Sequence, residues 1–109
     1  MRGALLSLIL LSACSSSDAE LAALKGAHSI VAEWAVVARL QTARRINATY
    51  AQGMAIDARS QLASERAALR TPNDPAVVLI DSLGEAPDAA QLTETAEALG
   101  RLEAARENR

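Results

Sequence analysis

Hydrophobic and polar positions divide the chain into one short greasy run and four stretches of helical period. Residues 4–11, Ala-Leu-Leu-Ser-Leu-Ile-Leu-Leu, are apolar except for Ser7. The run falls well short of the ~20 residues needed for a permanent bilayer helix, and no later stretch comes closer. From Asp18 to about Thr42, Ala23, Ala27, Ile30, Val31, Trp34, Val37 and Ala38 share one face, with Asp18, Lys25, Ser29, Glu33 and Arg39 opposite. This predicts an amphipathic helix, with Asp18 placed to cap its start and Gly26 weakening its middle.

Around Ala43-Arg44-Arg45-Ile46-Asn47 that face runs out of apolar residues, and Asn47 or Thr49 can cap a new start. A turn is predicted here; the rival is one helix from 18 to 70. Over about 48–70, Tyr50, Ala51, Met54, Ala55, Ala58, Leu62 and Leu69 line one side and Gln52, Arg59, Ser60, Arg66 and Arg70 the other. Ala51, Ala55 and Ala58 let another helix approach closely, while Trp34, Tyr50 and Met54 supply bulk. Pro72 breaks the pattern, Asp74 can cap, and Pro75 suits a first helical position. A short helix over 76–83 closed by Gly84 fits the Asp-Pro start better than a buried strand of Val77-Val78-Leu79-Ile80. Asp88-Ala89-Ala90-Gln91 has capping-box spacing. The helix it opens runs to about Arg106, with Leu92, Ala96, Leu99 and Leu102 inward and Glu97 spaced to pair with Arg101.

The expected fold is therefore all-α: an antiparallel helical hairpin with two shorter helices packed on it. Composition qualifies this picture. Half of the residues count as hydrophobic, but many are alanine, and the chain has no Phe, one Trp and one Tyr. Alanine favours helix yet buries little area, so a thin core is expected, and the alanine-rich faces allow self-association. The one cysteine, Cys14, rules out an internal disulfide.

Cys14 stands at the end of the greasy run. Met1-Arg2-Gly3 supplies a positive charge, residues 4–11 an apolar core, and Ser12-Ala13 a small-residue cleavage zone, which together make an export signal. Leu11-Ser12-Ala13-Cys14 resembles the lipobox of bacterial lipoproteins at all four positions. The resemblance covers residues 1 to about 15. It implies cleavage before Cys14, a diacylglycerol on its sulfur and an acyl group on its new amine; two or more chains give stable membrane anchoring. In Gram-negative members an aspartate after the cysteine favours the inner membrane. Ser15 here implies the inner leaflet of the outer membrane, facing the periplasm. The expected organisation is a signal peptide over 1–13, lipidated Cys14 and a polar tether over 14–17, and a helical domain over 18–109.

Loss of Arg2 with the signal leaves ten basic against thirteen acidic residues, a net charge of −3, which is not the balance of a nucleic-acid binder. Residues 36–70 carry six arginines against Asp57 and Glu65, whereas residues 71–100 carry six carboxylates and no base. The acidic half is expected to fold back on the basic hairpin, setting orientation more than stability.

Candidate chemistry is sparse. His28 is the only histidine and sits near the edge of the first helix's apolar face, where a boundary role is expected. No Gly-rich phosphate loop, Cys/His cluster or nucleophile motif occurs, so neither enzyme, cofactor nor metal site is expected beyond the covalent lipid on Cys14. Arg44-Arg45 with Arg39 could meet anionic headgroups or an acidic partner, but three arginines fall short of a polybasic cluster of about 4–8. A solvated turn paired with the acidic half is the simpler expectation. Asn47-Ala48-Thr49 matches a glycosylation sequon, a pattern frequent by chance. Trp34 and Tyr50 are expected in the core.

The function expected is that of a membrane-anchored periplasmic lipoprotein with a structural or interaction role, its partner an envelope protein. The murein lipoproteins share a Cys-Ser-Ser start and helical body, but they carry an unbroken heptad pattern and a C-terminal lysine. This chain ends in Arg109, has Lys25 as its only lysine, and is interrupted by Pro72, Pro75 and Pro87. Two alternatives are a phage-derived lysis lipoprotein of the spanin type, a class that tends to be proline-rich and extended, and a small-ligand module, for which bulky pocket residues are few.

Overall fold

The computed structural model describes residues 17–71 and 73–108 in full, and residues 2–16 only as part of a helix. The chain forms four α-helices, with no strand among the described residues: α1 (Arg2–Thr42), α2 (Ala48–Ala68), α3 (Pro75–Asp81) and α4 (Ala89–Glu107). The all-α bundle expected from periodicity is thus the fold. Ser17 is already helical, so Asp18 lies inside α1 rather than capping it. No Pro or Gly near Asp18 forces a helix to begin there.

α1 is the central element and packs against both α2 and α4; α3 packs mainly on α4 and only lightly on α2. This double role widens its buried face. Leu24 and Ala35, outside the predicted stripe, are as buried as Ala27 and Val31 because α4 covers them, whereas Lys25, Ser29, Glu33 and Arg39 remain exposed as expected. Residues 17–42 also have the length of a membrane span and contain an 18-residue window of mean hydropathy 1.3, contrary to the expectation that no stretch of the domain comes close to one. A bundle's core helix passes the same test, and here one side of α1 lies against its neighbours.

The turn between α1 and α2 is present, and the single-helix rival is overturned. Arg44 takes the left-handed conformation (φ 59°), its amide donates to the Gln41 carbonyl, and the Arg45 amide donates to that of Leu40. This is a Schellman closure with arginine where glycine is usual. Asn47 then caps α2, its side chain accepting from the Tyr50 amide at 2.7 Å.

α2 ends at Ala68, ahead of Pro72, which lies outside the described residues. Asp74 caps α3, accepting from the Ala76 amide at 2.9 Å with Pro75 in the first turn, and Gly84 adopts φ +65° just beyond the helix. Asp88 caps α4 through the Gln91 amide at 2.8 Å. The reciprocal half of the predicted box is not made: the Gln91 side chain donates instead to the Ser82 carbonyl, tying α4 to the end of α3.

The largest fully buried side chains are Leu24, Val31, Leu92 and Leu99, with Trp34, Leu62, Ile80 and Leu83 around them and alanines filling the close approaches. Tyr50 is not among them. At 54% exposure it lies outside the core, and Met54 is only half-buried, because the narrow alanine face of α2 turns these two positions toward its rim. The bulk expected of them comes from the leucines of α1 and α4.

Candidate functional site

Cys14, the one residue given a chemical role from the sequence, lies outside the described residues. The structure begins to describe side chains three positions later, at Ser17, where α1 meets the α2–α3 connection and the end of α4. Here the Glu20 carboxylate accepts from the Arg70 amide and the Thr71 hydroxyl, both at 3.3 Å. Deeper in, the Asp74 carboxylate is buried and accepts from Arg106 at 2.6 Å as well as from the Ala76 amide. Together these contacts fasten three chain segments at the Cys14 side of the domain.

They also frame an open crevice of about 580 Å³ that Ser17, Leu21 and Thr71 help to line. Asn73, Pro75 and Leu102 belong both to this crevice and to an apolar groove of about 570 Å³ between α3 and α4, where Val78, Leu79 and Ala98 are the remaining apolar walls. Val78 is 59% exposed. Among the described residues, Arg101 is the one charged side chain on the groove. Its expected partner Glu97 makes no ion pair with it, since the described ion pairs lie elsewhere.

His28 stands on the α1–α4 boundary. Its Nδ1 is 2.6 Å from Oε2 of Glu103, which accepts from it, and the ring lies over Gly100, where a Cβ would come within 3.1 Å of Nε2. Lys25 pairs with Glu107 one turn away at 2.5 Å. The hydrogen bond from Lys25 to Glu107, and then the charge of that carboxylate, hold the ammonium above its ordinary pKa. These two pairs align α4 on α1. Among the described residues, no three His, Cys, Asp or Glu side chains converge as a metal set, and no buried side-chain polar atom lacks a partner.

At the other end of the bundle, the Arg59 guanidinium sits 5.5 Å from the centre of the buried Trp34 ring. Arg44 and Arg45 are exposed and pair with nothing acidic among the described residues; Arg39 donates to the Thr93 hydroxyl at 2.9 Å. The expected pairing of this turn with the acidic half is therefore absent. Between residues 36–70 and 71–100 the one ion pair is the forked contact of Arg66 with Asp81, at 2.6 and 2.7 Å. The remaining pairs use Lys25, His28 and Arg106, which lie outside the basic segment. The Asn47 of the sequon spends its side-chain oxygen on the α2 cap.

No protein-family model, curated protein or solved structure matches this chain.

Proposed function

We propose that this protein is a lipid-anchored lipoprotein of the bacterial envelope, held through acylated Cys14 at the inner leaflet of the outer membrane, with its helical domain serving a structural or protein-interaction role in the periplasm. One observation carries the reading: Leu11-Ser12-Ala13-Cys14 closes an apolar run in register with a charged start. The small α-bundle supports the second half of the reading, because it offers a rigid body that can present surfaces. An interaction module needs no convergent acid–base or metal set, and the grooves that border Trp34 and Val78 suit packing against another surface better than enclosing a small molecule.

The direct test is intact mass spectrometry of membrane-extracted protein beside a Cys14→Ser variant. The wild type is expected to begin at residue 14 and to carry acyl mass absent from the variant. A soluble wild type with an unmodified thiol would overturn the proposal. Crosslinking in intact cells then addresses the second half, with a recurrent envelope protein or cell-wall fragment as the expected product.

A further inference from the structure

We infer that the α3–α4 edge of the domain rests on the lipid bilayer beside the anchor, making a second, non-covalent membrane contact. The inference depends on the lipoprotein reading, since it places the bilayer by the lipid on Cys14. Cys14 lies three residue steps before Ser17, with only Ser15 and Ser16 between them, which fixes the attachment point within about 11 Å of Ser17 even at full extension of the chain. The domain therefore cannot stand off from the membrane.

Ser17 itself lines the crevice that runs, through the shared walls Pro75 and Leu102, into the apolar groove of α3 and α4. Of the exposed large apolar side chains, Val78 is the one on this edge; Tyr50 and Ile56 lie on α2 and Val36 on the outer side of α1. Isolated apolar side chains on a surface need no explanation, but Val78, Leu79, Pro75, Ala98 and Leu102 are contiguous.

The carboxylates of this edge, Asp18, Glu20 and the paired Asp74, line the crevice, whereas the groove beside it carries positive charge. Among the described residues the groove is lined by no carboxylate, and its single charge, Arg101, is cationic and in no ion pair. An apolar strip bordered by an arginine whose stem can lie along it fits an interfacial surface, with apolar atoms in the acyl boundary and the Arg101 guanidinium at the phosphates.

The experiment uses the full-length protein processed in cells and reconstituted in phosphatidylethanolamine–phosphatidylglycerol vesicles containing brominated acyl chains. In the lipidated protein the Cys14 sulfur is a thioether, so Val78→Cys offers one free thiol for an environment-sensitive fluorophore; Ile56→Cys serves as the control on α2. The label at 78 is expected to shift to the blue and to be quenched several-fold more strongly by the brominated lipid than the label at 56. Equal, weak quenching at both positions overturns the inference. So does a blue shift at 78 without quenching, which would mean that a protein surface or the chain's own acyl group fills the groove. Intact mass of the same samples separates the two levels: acylated protein with an unquenched label at 78 removes the bilayer contact alone, whereas two labels and no acyl mass remove the anchor as well.

Discussion

Asp74 and Arg106, 32 residues apart, meet at a single buried oxygen: Oδ1 of Asp74 accepts from the Arg106 guanidinium and also from the first free amide of α3. The cap of one helix is thereby the anchor for the last turn of another. α3 has only seven residues and could not persist alone, so its start depends on this carboxylate.

Asp74→Ala is expected to destabilise the protein by about 2–3 kcal/mol, combining a lost N-cap with a broken, largely buried ion pair. Asp74→Asn keeps the cap and should lose roughly half as much. Urea unfolding followed by far-UV circular dichroism would read both.

The exposed pair of Arg66 and Asp81 predicts a pH dependence. The hydrogen bonds from Arg66, and then its charge, hold the Asp81 carboxyl below its ordinary 3.8. A carboxyl depressed on folding stabilises the fold above its unfolded pKa, and that contribution disappears as the pH falls through the folded value. Asp81→Asn should therefore flatten the acid limb of the stability–pH curve below about pH 4 and leave neutral behaviour little changed, since exposed pairs contribute little. An Asp81→Asn curve that overlays the wild type at every acid pH would contradict the linkage.

Arg44 holds a left-handed conformation that costs a non-glycine residue roughly 1–2 kcal/mol. Arg44→Gly should raise the stability by up to about 1 kcal/mol, after allowing for the greater freedom of glycine in the unfolded chain. Thermal unfolding of the variant, at unchanged helix content, is the check.

Gly53 and Gly100 both lie within helices but should respond oppositely to alanine. A Cβ at Gly53 meets nothing, so Gly53→Ala should gain the full helix-propensity difference of about 0.8–1 kcal/mol. At Gly100 the same methyl group crowds the His28 ring, which Glu103 holds in place. Gly100→Ala should therefore gain nothing or lose stability, and coupling it with His28→Ala should restore the gain.

Leu99 is fully buried where α4 meets α1, so Leu99→Ala is expected to cost about 2–5 kcal/mol. Ile56→Ala, at a side chain 67% exposed, should stay within about 0.5 kcal/mol of the wild type. A comparable loss at both sites would contradict this division between core and surface.

Much of the fold was legible because helix ends are local chemistry. Asn47, Asp74-Pro75 and Asp88 cap where their spacing said they should, and the turn at 43–47 falls where the apolar face fails. What escaped depends on how helices pair, which periodicity does not encode. Leu24 and Ala35 are buried only because α4 shares α1 with α2, and Tyr50 is exposed because an alanine face as narrow as that of α2 cannot cover its own rim. Gln91 had the spacing for a capping box but found the Ser82 carbonyl, a partner nine residues back that only the folded connection brings near. The contact of His28 with Glu103 spans 75 residues and leaves no sequence trace except that both are polar. At the candidate site, the approach of Ser17 to Thr71 and Pro75 follows from that same pairing and was invisible in the sequence.

The packing of α4 along α1 also sets the order of events in the making of the molecule. For a chain threaded across a membrane N-terminus first, the central helix emerges early, but one of its two neighbours is the last to arrive. Until residues 89–107 are through, Leu24 and Val31 have no partner in Leu92 and Leu99, and the ends that must meet are separated by most of the chain. If the chain is exported as proposed, it stays loose for as long as a translocation channel requires it to be thin, and it closes when its tail is released. On the proposed lipoprotein reading, a copy truncated before α4 should be exported as readily as the whole chain and then be degraded on the far side.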